Sequence, residues 1–185
     1  MQREAAGDRY GGVRGEADFW RGFLNRVRSL LDGGTLTDEA FATLATHFRA
    51  PSSWAVFDDV IPVLDDLAGR GLSLAIVSNW DSFLPRLLEL KGLADRFATV
   101  SVSAIEETGK PEPEIFLRTC RRLGVAPAEA LHVGDSPRDD YDGARAAGLQ
   151  ALLLDRAAAH AGAADRYERI GSLAEIPLRL AAPPG

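Results

Sequence analysis

His132-Val133-Gly134-Asp135-Ser136-Pro137-Arg138-Asp139-Asp140 carries an apolar strand through a tight turn into the acid-rich start of a helix. Gly134 lets the backbone turn sharply. Asp135 then falls at the strand tip, with Asp139 and Asp140 in the first helical turn. Carboxylates suit the positive end of a helix, which explains Asp139 and part of Asp140 but not Asp135. Three carboxylates converging in a crevice repel one another unless a cation or a lysine sits among them. Magnesium suits such a place, because it takes oxygen ligands from one or two carboxylates and a substrate phosphate.

Working outward, the same strand-then-helix unit recurs. Apolar runs at 72–77, 98–102, 130–133 and 149–154 read as strands, and the periodicity predicts helices over 59–69, 81–90, 112–123 and 138–147. Continuously apolar strands alternating with helices imply an α/β fold with a parallel sheet covered on both faces. Chemistry in such sheets gathers beyond the carboxyl ends of the strands. Ser78-Asn79 ends the first strand, and a hydroxyl with an exposed amide there can hold a phosphate oxygen or simply form a turn. Gly109-Lys110-Pro111-Glu112-Pro113-Glu114-Ile115-Phe116 follows the second strand. Its prolines stiffen the approach to a helix, and Lys110 is placed to neutralise an anion. Lysine occurs only at Lys91 and Lys110 in a chain whose other cations are arginine; Lys91 reads as chance, and Lys110 either as a surface lysine or as one kept for its compact ammonium.

Ahead of this pattern, residues 1–15 read as a polar, glycine-rich loop. Phe19, Trp20, Phe23, Leu24, Val27, Leu30 and Leu31 mark an amphipathic helix over 16–31, ended by Asp32-Gly33-Gly34. Thr37 is placed to cap a second helix over 38–48. Together they make an aromatic-rich hairpin, expected mainly to pack itself. The alanine-rich stretch from Ala157 reads as peripheral, Cys120 as a core residue, and His132 as packing; His47 and His160 have no evident partners.

The bulk properties narrow the function. The 185 residues are 46% apolar with a net charge of −6, enough for a core but without the basic patch that nucleic acid or an anionic membrane requires. No run approaches the roughly 18 apolar residues of a membrane span. A single cysteine excludes an internal disulfide and fits a reducing, cytoplasmic setting.

A hydroxyl, a lysine and an acid cluster, each at a strand end and in this order, resemble the haloacid dehalogenase superfamily, in the subgroup with a helical cap inserted after the first strand. Ile76-Val77-Ser78-Asn79-Trp80-Asp81 looks like its second motif, Gly109 to Phe116 its third, and His132 to Asp140 with Gly143-Ala144 and Ala147-Gly148 its fourth. The resemblance runs from about residue 56 to 155 and implies a Rossmannoid sheet. Residues 1–55 would be a partial cap and 56–185 the core. It further implies that Ser78 and Asn79 bind the phosphoryl group, and that Lys110 binds phosphate and nucleophile. Asp135 would ligate Mg2+, and Asp140 would support the lysine or the metal-bound water. The substrate would be a small phosphorylated metabolite.

The family's first motif, a strand followed by Asp-x-Asp-Gly-Thr, supplies the nucleophile. No such strand is legible ahead of the hairpin. Leu31-Asp32-Gly33-Gly34-Thr35-Leu36 is one residue out of register and follows helical spacing. The expectation is therefore a fragment whose central strand, between those ending at Val77 and Val133, is missing, and which is inactive as it stands. A phosphate-binding relative without catalysis and a 2-haloacid dehalogenase are the alternatives. A response-regulator receiver orders its acids before the hydroxyl and lysine, the reverse of the order here.

Overall fold

Two parallel sheets carry the core. Ala75–Ser78 (β1) pairs with Thr99–Val102 (β2) so that Ser78 lies level with Val102. Leu131–Gly134 (β3) pairs with Gln150–Leu154 (β4), and β4 with Arg169–Ile170 (β5), in the order β3-β4-β5. This computed structural model describes residues 12–31, 35–160 and 166–181. Among them no strand hydrogen-bonds β1 to β3.

The helices follow the predicted alternation. Gly12–Leu31 (α1) and Asp38–Arg49 (α2) form the hairpin, Val60–Gly69 (α3) precedes β1, and Leu84–Leu90 (α4) follows it. Ser103–Glu106 (α5) is a single turn after β2, and Pro113–Leu123 (α6) leads toward β3. After β3 the chain makes a wide π turn, Pro137–Asp142, then the short Gly143–Ala146 (α7). Ile176–Ala181 (α8) closes the order. The helix expected over 138–147 is thus split, because its first turn is widened where Asp140 turns inward. The hairpin's first helix begins at Gly12 and not at residue 16; the rest of the expected N-terminal loop and the Asp32-Gly33-Gly34 stop lie outside the described residues.

Helix α6 is the wall shared by both sheets. Ile115 and Phe116 are fully buried, and Val77 of β1 packs into the same cluster as Ala144, Leu149 and Ala151 on the β3–β4 side. Apolar burial of this kind is the main stabilising term of the core. The hairpin is held by Arg21 to Asp38 at 2.6 Å, by the Leu36 N–H donating to Asn25 Oδ1 at 2.7 Å, and by Thr37 Oγ1, which accepts from the Ala40 N–H as a cap. It meets the core through Glu16, whose carboxylate accepts from the Ser82 N–H and hydroxyl.

The C-terminal segment is not peripheral. Ile170 and Ile176 are buried against Val63, Leu67 and Leu152. The two-residue β5 is too short to show a strand's periodicity, which is why the sequence conceals it. Asp59, at the start of α3, ties this segment down. It accepts from Arg156 Nη1 and Nη2 at 2.9 and 2.8 Å, from Ser172 Oγ at 2.7 Å and from the Leu173 N–H at 3.0 Å.

The Arg156 fork, with Ser172 and Leu173 adding to it against the cost of burial, holds the Asp59 carboxyl well below the ordinary carboxylate range. A folded-state pKa below the unfolded one stabilises fully above roughly pH 4, and that stabilisation is lost as pH falls through the depressed value. Asp59→Asn is therefore expected to cost about 2 kcal/mol at neutral pH and to flatten the acid loss of stability. Urea midpoints across the acid range check both; parallel wild-type and variant profiles would refute the assignment.

Candidate active site

The strand-end residues converge on Lys110. Its ammonium reaches Asp140 Oδ1 at 2.5 Å, with side chains only 13% and 4% exposed. A buried charge without a partner is expensive, so the pair stands or falls together. Asp140 has further donors: His132 Nε2 lies 2.8 Å from Oδ1, and the Ser136 N–H donates to Oδ2 at 2.9 Å. Burial alone would raise the Asp140 carboxyl; His132, Lys110 and the Ser136 N–H overcome it and hold the group well below the usual carboxylate range. It stays an anion, and Lys110 stays beside it.

The backbone of Lys110 is held from the other side. Asn79 Oδ1 accepts from the Lys110 N–H at 2.7 Å, and Asn79 Nδ2 donates to the Lys110 carbonyl at 2.8 Å. The Asn79 side chain, expected to help bind substrate, is thus occupied in fixing the lysine loop. Ser78, at the end of β1, is half-buried and makes no side-chain hydrogen bond among the described residues, which leaves its hydroxyl open to a ligand. Two glycines permit the close approach. A Cβ on Gly134 would run into the Asp140 carboxylate, and one on Gly109 would lie 2.7 Å from Asn79 Oδ1.

Asp135 is exposed and has no partner among the described residues, whereas both oxygens of Asp140 are occupied by protein donors. No group of three or more His, Cys, Asp or Glu able to hold a metal is found among the described residues. Magnesium needs fewer protein ligands than that, often one or two carboxylates beside water and phosphate, and the open Asp135 carboxylate fits such a role. Asp140 fits the lysine-holding role better than direct ligation.

Two residues gain roles the sequence did not suggest. His132 was read as packing; it does pack edge-on against Phe116 at 5.0 Å, but its ring nitrogen also serves Asp140. Strand parity was the available clue, since residues 132 and 134 of β3 share a face and Gly134 faces Asp140. Asp81, just past Asn79, is 4% exposed and receives the Phe83 N–H at 3.0 Å. Burial, with the Glu16 carboxylate adding to it, pushes the Asp81 carboxyl up against the pull of the Phe83 N–H and Arg49.

A double-mutant cycle tests the central pair. Lys110→Met and Asp140→Asn are each expected to destabilise by about 3 kcal/mol, with a coupling energy of about 2 kcal/mol. Additive effects in urea denaturation would show that the two side chains do not act together. Gly134→Ala, which forces the Asp140 carboxylate aside, is expected to cost a similar amount.

Comparison with known proteins agrees with this arrangement. The sequence model of the haloacid dehalogenase-like hydrolase family matches residues 5–148. Haloacid dehalogenase-like hydrolase domain-containing protein 3 of Mus musculus is 39% identical over 129 residues, 70% of this chain and 51% of that protein. Phosphoserine phosphatase of Thermus thermophilus is 36% identical over 141 residues, 74% of this chain and 57% of that one. The chain thus spans about half the length of the curated relatives it matches. Among solved structures, a HAD phosphatase from Thermococcus onnurineus superposes with a TM-score of 0.70 at 32% identity, covering 91% of this chain and 74% of its own. A 2-haloacid dehalogenase from Pseudomonas syringae pv. Tomato DC3000 gives 0.65 at 32% identity, covering 89% and 71%. With the family match spanning most of its length and the lysine, hydroxyl and acids gathered at the strand ends, the chain belongs to the haloacid dehalogenase-like hydrolases.

Proposed function

We propose that the chain forms the phosphate- and metal-binding part of a magnesium-dependent phosphomonoester hydrolase that works through an aspartyl-phosphate. Residues 1–55 are the partial helical cap and 56–185 the catalytic core. The observation that carries this reading is the Lys110 ammonium, fixed at its backbone by Asn79, the residue after Ser78, and at its tip by Asp140. Such a fixed cation is placed to stabilise the charge that develops on a transferring phosphoryl group. Ser78 would donate to a phosphoryl oxygen. Asp135 would hold Mg2+, which supplies further charge neutralisation when bound. Asp140 acts through Lys110. The relatives named as phosphoserine, glyceraldehyde 3-phosphate and phosphoglycolate phosphatases support a small phosphorylated metabolite as substrate. Among the described residues no helix is long and apolar enough to cross a membrane; the proposed cytoplasmic setting rests on the single cysteine.

The attacking carboxylate would stand on a strand between β1 and β3, where none of the described residues lies. The 185 residues alone are therefore expected to bind phosphate without hydrolysing its esters. A 2-haloacid dehalogenase is the second reading, favoured by the likeness to the Pseudomonas structure. Titration calorimetry with inorganic phosphate separates them. Binding that strengthens with Mg2+, weakens about tenfold or more in Lys110→Ala, and loses its Mg2+ dependence in Asp135→Asn is expected. A version preceded by a strand bearing Asp-x-Asp-Gly-Thr should release phosphate with Mg2+. No turnover across a broad panel of phosphate esters would sink the phosphatase reading, and turnover of a 2-haloacid instead would establish the second.

A further inference from the structure

Glu106 is a buried carboxylate that the proposed chemistry leaves unused. It ends α5, the single helical turn between β2 and the Lys110 loop, and is 8% exposed. Arg122 of α6 grips it with both arms of its fork, Nη1 to Oε1 at 2.5 Å and Nη2 to Oε2 at 2.9 Å. Arg118, one turn earlier on the same helix, donates to the Glu106 carbonyl at 2.9 Å and lies 3.6 Å from its carboxylate. The Arg122 fork also reaches the fully buried Ser101 hydroxyl of β2 at 3.1 Å, which stands 2.7 Å from the Thr119 hydroxyl of α6. Strand, turn and helix are thus joined in one polar network. A guanidinium fork on a carboxylate fixes geometry as well as charge, and a buried carboxylate stripped of its partner is costly.

What the network fixes is the start of the Lys110 loop. One helical turn has too few hydrogen bonds to set its own direction, so α5 takes its orientation from its side chains. Ser103 Oγ accepts from the Trp80 N–H at 3.1 Å and donates to the Trp80 carbonyl at 3.2 Å, which ties the turn to the segment after β1. Glu106 ties it to α6. The next residue, Glu107, is left-handed with a φ of 55°, a conformation that a residue with a side chain holds where its surroundings impose it. Glu107, Thr108 and Gly109 alone separate Glu106 from Lys110, and Asn79 grips the Lys110 backbone. The loop is pinned at both ends, so a shift of its first anchor passes to the ammonium through three residues.

We propose that Glu106, held by Arg122 and Arg118, is a positioning residue for Lys110: it sets where the ammonium stands relative to Asp140 and to an incoming phosphoryl group. For the phosphate, the inference rests on the phosphomonoester reading above. For the lysine, it rests on the Lys110–Asp140 pair alone.

Lysine stands only at positions 91 and 110, so the full chain grown on 13C-lysine gives two ε-methylene signals in a nuclear magnetic resonance spectrum, and Lys110→Met assigns them. Glu106→Gln and Arg122→Met are each expected to move the Lys110 signal toward that of free lysine while the Lys91 signal stays. Each is also expected to weaken the binding of inorganic phosphate in the presence of Mg2+ about tenfold. Ile176→Ala, which opens the apolar cluster under the C-terminal segment, should lower the urea midpoint and leave both readouts as in the wild type. Arg121→Met, which removes a neighbouring guanidinium paired with Glu114, should change neither. The Arg122 side chain is half-exposed, so its variant keeps the test open if Glu106→Gln fails to fold. A Lys110 signal at its wild-type position in the folded variants, or unchanged phosphate affinity, would leave Glu106 a residue of stability alone and overturn the proposal. If the wild-type chain binds no phosphate, the phosphomonoester reading fails, and the Lys110 signal by itself decides for or against Glu106.

Discussion

A lysine ammonium held almost out of water between two sheets is the constraint on which the rest of the site depends. Lys110 needs a counter-charge, and Asp140 is the one in reach. Asp140, buried in turn, needs donors to offset its desolvation, and it finds them in His132 and the Ser136 N–H. Each demand fixes a piece of backbone. The Asp140 carboxylate must lie against β3, so residue 134 has no Cβ. The chain must turn widely over Pro137–Asp142 to aim Asp140 inward. The Lys110 loop must approach β1, and Asn79 grips both its N–H and its carbonyl. Lys110 thus links the two sides, its backbone held by Asn79 after β1 and its ammonium by Asp140 after β3.

The same logic assigns different electrostatic roles to acids of one type. Asp140 and Asp59 are surrounded by cations and donors, and both are held as anions. Asp81 is as deeply buried as Asp140, and there burial, with the Glu16 carboxylate adding to it, outweighs the Phe83 N–H and Arg49 and raises the carboxyl above its ordinary value. The difference lies in what faces each carboxyl and not in how far it is from water.

Legibility in the sequence divides along the same physical line. The alternation of apolar runs and helical periods placed every strand from β1 to β4 within about three residues, because burial on both faces leaves a continuous apolar mark. Asp135 stood out because charge at a strand tip has no packing explanation, Lys110 because lysine is rare in the chain, and Asp140 because it completes the acid cluster. What stayed hidden depended on partners distant in sequence. Asn79 looked like a ligand for substrate until its amide was found on a backbone 31 residues away. His132 looked like filler, since a strand interior is where packing residues usually lie. The C-terminal strand β5 has two residues and no period to read. Only its burial against α3 shows that the segment belongs to the core.

Charge bears differently on the two proposed reactions. Lys110 and Asp140 neutralise each other, which leaves Asp135 and Asp139 as uncompensated acids at the mouth of the site. A phosphomonoester arrives as a dianion near neutral pH and would be repelled by them, so a phosphatase built on these residues requires a divalent cation. The open carboxylate of Asp135 is where such a cation would be held. A 2-haloacid carries one negative charge and loses a halide, so its binding would demand less charge compensation than a phosphomonoester's. An exposed carboxylate costs a protein little, but one set at the carboxyl end of a buried strand, next to another acid and a fixed lysine, repels any anion that the lysine attracts. On the proposed phosphatase reading, a metal held at Asp135 would reverse that repulsion.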